Sequence, residues 1–152
     1  MSNETSFKVR LTQEESYQFR VAFDAPAAVS LLVDEPAPLG KNAGPNPARL
    51  VAAAVANCLS ASLLFAVRKF KEEPGTLTAE AVTRITRNEQ GRFRIAGIDV
   101  SIQLGGLAGN IEHLDRSLAQ FEDFCLVTQS IRQGIPVRVE VKDADGQVVH
   151  PD

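Results

Sequence analysis

The chain has 152 residues, of which 44% are hydrophobic and 23% charged, with a formal net charge of -3. This composition is typical of a globular protein, and the length predicts a single domain spanning residues 1–152. The acidic balance offers no basic surface for nucleic acid or an anionic membrane, so neither is expected as a partner. No run approaches the ~20 uninterrupted apolar residues of a membrane span, and Met1–Arg10 lacks the features of a secretion signal. We therefore expect a cytoplasmic protein.

The N-terminal third predicts three strands. Apolar residues alternate with polar ones in Phe7–Leu11 and in Tyr17–Phe23, and Val29–Asp34 is a third candidate. A segment rich in proline and glycine, Glu35–Pro47, follows and excludes a helix interior.

A long helix is predicted from Pro47 to Lys71. Proline is tolerated in the first helical turn, and Asn46 is the candidate N-cap. The segment is apolar on nearly all sides, which predicts a largely buried central helix. Its main buried face is expected to carry Leu50, Ala54, Cys58, Ala61 and Phe65, widened by Val51, Val55, Ser62 and Ala66.

The second half of the chain predicts strands, then helices, then a strand, which indicates an α+β fold. The predicted elements are a strand at Thr76–Arg87, a strand at Phe93–Leu104 with a bulge at Gly97, a helix at Ile111–Phe121, a helix at Phe124–Gln133 capped by Asp123 and ended by Gly134, and a strand at Pro136–Lys142.

Two cysteines are the residues with the most distinctive chemistry. Cys58 lies in the middle of the long helix, where a lone cysteine is most often a small buried hydrophobic residue. Cys125 is predicted in the first turn of a short helix, where unpaired N–H groups stabilise a thiolate. Together with His113 and His150 they do not match a zinc spacing, so no metal site is predicted. These patterns by themselves leave open whether the two sulfurs meet.

Two motifs resemble the OsmC/Ohr family of thiol-dependent peroxidases. The first is Gly44-Pro45-Asn46-Pro47 followed by Leu50, Ala52-Ala53-Ala54 and Cys58, with the cysteine eleven residues after Pro47. The second is Cys125 within the segment 121–130, followed by the valine-rich segment 137–141. The resemblance extends from about Tyr17 to Val141.

The resemblance implies a fold of antiparallel sheets around a long central helix, assembled as an intertwined homodimer. It also implies an organic hydroperoxide reductase in which Cys58 is the peroxidatic residue and Cys125 the resolving one. The implied partners are an organic hydroperoxide and a dithiol reductant, and no cofactor is required.

One position departs from the family pattern. Ala48 follows Pro47 where hydroperoxide reductases of the family carry a glutamate that orients a thiolate-activating arginine. Arg20 is the best candidate for that cation, and Lys41 is the second. Without such a cation the thiolate should remain near the reference pKa of about 8.5 and react slowly.

Two alternatives therefore accompany the peroxidase hypothesis. The protein could bind an apolar ligand at a dimer interface, with its cysteines serving only in packing. It could also be a redox sensor whose disulfide alters a partner interaction.

Overall fold

The computed structural model describes residues 3–25 and 27–150. Their contacts group into two compact units, Met1–Asn57 with Leu77–Gln103, and Cys58–Thr76 with Leu104–Asp152. We call them the sheet unit and the thiol unit. That the whole chain is one domain remains a prediction.

The sheet unit contains five strands in two antiparallel sheets. One sheet has the order β1 (Val9–Gln13), β2 (Phe19–Phe23) and β3 (Leu31–Val33), and the other pairs β4 (Thr78–Arg87) with β5 (Phe93–Gln103). All five lie where the alternating patterns predicted them, and the α+β class is confirmed. The β4–β5 register shifts between Arg84 and Ile85, where Arg84 is paired with Gly97, so the predicted bulge is also found.

The loop after β3 is organised by a buried carboxylate. Asp34 is 2% exposed, and its side-chain oxygens accept backbone N–H bonds from Glu35 at 2.8 Å and from Lys41 and Ala43 at 3.0 Å each. Gly44 passes so close to β3 that an added Cβ would lie 2.1 Å from the Leu32 carbonyl oxygen. The loop is thereby fastened to the sheet just before the long helix begins.

The long helix α1 runs from Pro47 to Arg68. Its predicted cap is confirmed, because Asn46 Oδ1 accepts the Arg49 N–H at 3.0 Å. The predicted main face is wrong in part: Ala54, Ala61 and Phe65 are exposed. The fully buried positions instead follow a neighbouring stripe, namely Ala52, Val55, Leu59, Ser62, Leu63, Ala66 and Val67. An all-apolar helix has no polar side to fix its rotation, so periodicity could not select the buried stripe.

By length and composition α1 could cross a membrane, with a mean hydropathy of 2.2 over its most apolar 18 residues. The core helix of a soluble protein passes the same test, and 44% of that window is buried within the chain.

The thiol unit contains the second half of α1 and the later helices. Helix α2 spans Leu114–Gln120, α3 spans Leu126–Gln133, and β6 (Val141–Lys142) pairs with β7 (Val148–His150). Gly134 ends α3 at φ 75°, as predicted.

Two local predictions for this region are wrong. Asp123 lies in a 3₁₀ turn, Phe121–Phe124, and the N-cap of α3 is Cys125 itself. The strand expected at Pro136–Lys142 is limited to its last two residues. A valine alternation is a weak signal by itself, because strand preference depends on packing against neighbours, and both Val137 and Val139 are exposed here.

Candidate active site: a thiol pair at a helix N-terminus

The two cysteines are brought together by α1 and α3 within the thiol unit. Cys58 lies in the second half of α1, and Cys125 is the N-cap of α3, whose first helical bond runs from the Gln129 N–H to the Cys125 carbonyl at 3.0 Å. The preceding 3₁₀ turn is closed by the Cys125 N–H donating to the Glu122 carbonyl at 3.1 Å. Both cysteines are free, and the two side chains are close enough that each influences the pKa of the other.

The first turn of α3 lies next to the two sulfurs. The Leu126 and Val127 amides act to lower the pKa of Cys58, and the Thr128 amide acts to lower the pKa of Cys125, whose side chain makes no cap hydrogen bond. In most helices the first N–H groups are satisfied by an oxygen cap or by water. Here the two sulfurs lie at the helix end, where the dipole favours negative charge.

Cys125 has two further hydroxyl partners. Its Sγ lies 3.1 Å from Thr128 Oγ1, and the Ser62 hydroxyl also contacts it. Thr128 and Ser62 are each 6% exposed, so both hydroxyls meet the sulfur in a region that excludes water. Hydrogen bonds to an ionised group are stronger than neutral ones.

The surroundings change the pKa of the two thiols in opposite directions. Burial is the largest influence on both and by itself raises the pKa of each. For Cys58 the increase from burial outweighs the decrease caused by the Val127 and Leu126 amides, and the neighbouring Cys125 raises the pKa of Cys58 further. For Cys125 the Thr128 hydroxyl, the Cys58 thiol, the Thr128 amide and the Ser62 hydroxyl outweigh burial, so its pKa is lowered.

Access to solvent also distinguishes the two sulfurs. Cys125 is completely buried, whereas Cys58 is partly exposed. Exposed apolar side chains lie nearby along the chain: Phe65 is two helical turns from Cys58, and Leu126 and Phe124 flank Cys125. The Phe65 and Phe124 rings meet edge to face with centroids 5.3 Å apart. A reagent would therefore meet Cys58 first, close to apolar surface.

The candidate cations lie in the sheet unit, and each has a carboxylate partner there. The Arg20 guanidinium on β2 donates to Glu14 at 2.8 Å, and the Lys41 ammonium pairs with Glu15. The position that the family glutamate would occupy, Ala48, is the second residue of α1. The role of Arg20 stays a prediction, because neither cysteine belongs to the sheet unit.

A separate polar cluster joins the end of the α1 region to the start of α2. Ligand atoms of Glu72, Glu112 and His113 lie within 4.8 Å of one another. The Glu72 carboxylate accepts the backbone N–H groups of Glu112 at 2.7 Å and of His113 at 3.1 Å. The His113 ring is stacked on Phe70. These contacts fasten the entry to α2 and account for the cluster as a helix-end anchor.

Two residues of the site were not singled out for it from the sequence. Ser62 is four residues after Cys58 on α1, and Thr128 is three residues after Cys125. The spacing of four places the Cys58 and Ser62 side chains on the same face of α1. The spacing of three places Thr128, at position N3 of α3, beside the N-cap residue Cys125. They could have signalled the two hydroxyls once the cysteines were identified as a pair.

Comparison with known proteins agrees with this fold. Among the similar solved structures, an OsmC-like protein of unknown function from Vibrio cholerae has a TM-score of 0.68 and 16% sequence identity, and the match covers 84% of this chain and 94% of that chain. An organic hydroperoxide resistance protein from Elizabethkingia anophelis has a TM-score of 0.64 and 23% identity, with 87% of this chain and 91% of that chain covered. An organic hydroperoxide resistance protein from Legionella pneumophila has a TM-score of 0.67 and 17% identity, with 86% of this chain and 92% of that chain covered.

At these identities the structural matches establish the fold alone. A search of curated proteins finds no significant match. A family model described as OsmC-like protein matches residues 40–140, which include the entry to α1 and both cysteines. The chain belongs to the OsmC-like protein family.

Proposed function

We propose that the protein is a thiol-dependent peroxidase that reduces organic hydroperoxides, with Cys58 as the peroxidatic residue and Cys125 as the resolving one. The observation that carries the proposal is that a partly exposed thiol and a fully buried one lie close enough at the N-terminus of α3 for each to change the pKa of the other. Family membership and the names of two structural neighbours, organic hydroperoxide resistance proteins, point to the same chemistry.

The reaction proceeds in two steps. The Cys58 sulfur attacks the terminal peroxide oxygen, an S–O bond forms as the O–O bond breaks, and the alcohol leaves after taking up a proton. The Cys125 sulfur then attacks the Cys58 sulfenic acid, forming a disulfide and releasing hydroxide, which becomes water on protonation. A dithiol reductant returns both cysteines to thiols by disulfide exchange.

The apolar side chains near the thiols support an organic substrate rather than hydrogen peroxide. Leu126 is 75% exposed and follows Cys125 directly, while its amide contacts the Cys58 sulfur. An alkyl or aryl group packed on such a surface would gain about 25 cal/mol for each Å² of apolar area removed from water. Hydrogen peroxide has no apolar group to bury.

Two further features of the proposal concern assembly and compartment. Apolar side chains are exposed on both units, including Phe7 at 82%, Val29 at 85% and Val137 at 78%. Covering such surfaces favours a homodimer. A catalytic dithiol must be re-reduced, which favours the cytoplasm.

Hydroperoxide consumption with a dithiol reductant tests the proposal. Cys58→Ser should abolish turnover, because a serine hydroxyl is a far weaker nucleophile. Cys125→Ser should allow a single turnover and leave Cys58 as a sulfenic acid that a sulfenic-acid-specific reagent labels. Wild-type rates in the Cys58→Ser variant would contradict the proposal.

Mass-spectrometric thiol counts distinguish the alternatives. Disulfide formation by one equivalent of hydroperoxide without sustained turnover would indicate a redox sensor. No change in the thiol count would indicate a ligand-binding protein whose cysteines only pack.

A matched pair of surface variants tests the substrate class. Leu126→Asn and Leu107→Asn alter leucines of nearly equal exposure, 75% and 74%, both in the thiol unit. Leu126→Asn should reduce the preference for an aryl hydroperoxide over hydrogen peroxide, and Leu107→Asn should leave it unchanged. If both variants changed this preference equally, Leu126 would not be part of the surface that binds the substrate.

A further inference from the structure

The contacts that anchor the start of α2 leave one ring nitrogen of the polar cluster without a partner. His113 Nδ1 is buried, and within residues 3–25 and 27–150 it is the one buried side-chain nitrogen or oxygen that has no hydrogen-bond partner. Glu72 Oε2 lies 3.6 Å from it, which is too long for a hydrogen bond. Buried polar atoms are rarely left unsatisfied, so the anchoring role of the cluster does not account for this nitrogen.

The atoms around His113 Nδ1 form a donor set for a divalent metal ion. One ligand atom each of Glu72, Glu112 and His113 lies within 4.8 Å of the other two. Two ligands at about 2.0–2.1 Å from a tetrahedral zinc ion are about 3.3–3.4 Å apart. The 3.6 Å between His113 Nδ1 and Glu72 Oε2 therefore needs only a small adjustment. Imidazole and carboxylate are ordinary zinc ligands, and three protein ligands leave a fourth position for water.

The hydrogen bonds that Glu72 already makes are those of a metal ligand. Its carboxylate accepts the backbone N–H groups of Glu112 and His113, and a carboxylate has about four lone-pair positions, so two amides leave room for an ion. Carboxylates that bind metals are commonly hydrogen-bonded in this way, which fixes their orientation. The His113 ring is also held, because it stacks on Phe70 with centroids 4.9 Å apart. Two of the three ligands are thus oriented before an ion binds.

Charge and access favour a cation at this point. Two carboxylates beside an imidazole carry negative charge that a divalent ion would neutralise. Two arginines close by in the chain are engaged with other groups: Arg68 pairs with Glu73 at 2.9 Å, and the Arg116 guanidinium lies 5.7 Å from the centre of the Phe70 ring. The Glu112 side chain is exposed, so an ion can reach the cluster from solvent.

We propose that Glu72, Glu112 and His113 bind a divalent metal ion of the zinc class, which fastens the segment after α1 to the start of α2. The inference is independent of the proposed function. It departs from the sequence-based expectation of no metal site, which considered the spacing of cysteines and histidines alone. Glu72 and Glu112 are 40 positions apart, and only the fold brings them together.

Isothermal titration with zinc chloride tests the proposal. The full-length chain carries Cys58→Ser and Cys125→Ser in this experiment, so that thiolates do not compete for the ion. One zinc ion should bind per chain, and bound zinc should raise the melting temperature, because an ion that binds only the folded state stabilises it. Absence of saturable binding in the folded protein would overturn the proposal.

Two substitutions in the same background identify the ligands. His113→Phe keeps an aromatic ring to stack on Phe70 and removes the nitrogen, and the His113 side chain makes no cap hydrogen bond that would be lost. Glu112→Gln removes one carboxylate and leaves the Glu112 backbone bond to Glu72 in place. Loss of an outer hydrogen-bond partner in a metal site already costs about 10–100-fold in affinity, so loss of a ligand should weaken zinc binding by at least about tenfold.

Matched controls are His150→Phe, which alters the other histidine, and Glu73→Gln, which alters the glutamate next to Glu72 that pairs with Arg68. Both should bind zinc as the parent does, and circular dichroism shows that each variant is folded. Equal losses in the control and cluster variants would assign the binding to another part of the chain and overturn the proposal.

Nitrogen-15 NMR of the histidines in the wild-type chain gives a second readout, with zinc in excess over the two thiols. The His113 Nδ1 resonance should shift on binding, and a shift confined to His150 would contradict the proposal. Neither measurement uses hydroperoxide. Normal hydroperoxide turnover without zinc binding would therefore reject this inference alone, and zinc binding without turnover would reject only the proposed function.

Discussion

Asp34 in the sheet unit and the Cys58–Cys125 pair in the thiol unit are acidic groups with similar surroundings but different consequences. Each places an acidic group away from water and beside backbone N–H groups: three loop amides donate to Asp34, and amides of the first turn of α3 act to lower the pKa of the two thiols. Donation from several amides stabilises a buried anion.

The difference lies in what the acidic group can still do. Asp34 is closed in by its own loop, and a saturated carboxylate has no reaction to perform, so its contribution is structural. The thiol pair leaves one sulfur partly exposed, and the other lies 3.1 Å from the Thr128 hydroxyl oxygen, to which its thiol donates. A buried acidic group whose hydrogen bonds are all made within the fold therefore indicates a structural role. An acidic group that has hydrogen-bond partners and is still reached by solvent indicates a reactive one.

Replacing Asp34 should give the largest loss of stability and thereby tests one half of the comparison. In Asp34→Ala three loop amides lose their acceptor, and the entry to α1 loses its anchor. We expect a markedly lower melting temperature by circular dichroism. Cys125→Ser should stay close to wild type, because serine is a good N-cap. A larger fall in melting temperature in Cys125→Ser than in Asp34→Ala would mean that Cys125, and not Asp34, is the main structural residue of the two.

Gly44→Ala tests whether the Asp34 loop must stay fastened to β3. The new Cβ would lie 2.1 Å from the Leu32 carbonyl oxygen, and backbone there must move to admit it. We expect a loss of about 1–3 kcal/mol in the free energy of unfolding, measured by urea denaturation. Gly109→Ala is the control, since nothing lies within 4 Å of its added Cβ. Equal losses at both positions would mean that the close approach does not limit stability.

Acid should remove the Asp34 contribution in a defined direction. The Ala43 amide is the largest of several hydrogen-bond donors that hold the pKa of Asp34 below its usual value of 3.8 despite burial. A lowered folded-state pKa contributes stability that is fully present above the unfolded pKa and disappears as pH falls through the folded one. Melting temperature should therefore decline below about pH 4 in wild type. Asp34→Asn should show a shallower decline, and parallel curves would exclude Asp34 as a source.

Arg20→Ala should have the smallest effect on stability. Arg20 and Glu14 form an ion pair with side chains 39% and 41% exposed, and such surface pairs contribute little. Arg84→Ala is a matched control, since Arg84 pairs with Asp99 at 2.7 Å and is also exposed. If Arg20 supplies the missing activation, its loss should slow hydroperoxide turnover while Arg84→Ala does not. Equal rates in both variants would exclude Arg20 from the reaction.

The sequence by itself determined the strands of the sheet unit, the extent and cap of α1, and the residues with reactive chemistry. Alternation with period two, prolines that exclude a helix, and an asparagine before Pro47 are local signals, and local hydrogen bonds or steric effects enforce them. The two cysteine motifs indicated the family through their order and spacing. Each of these conclusions depends on residues close together in the chain.

Tertiary structure alone decided which stripe of α1 is buried, where α3 begins, and what surrounds each sulfur. An apolar helix has several equivalent faces, so only its neighbours select Val55, Leu59 and Ser62 over Ala54 and Phe65. Cys125 could replace Asp123 as the cap because Cys58 and Ser62 approach it from a helix more than 60 residues away in the chain. Contacts between side chains so far apart in sequence depend on packing.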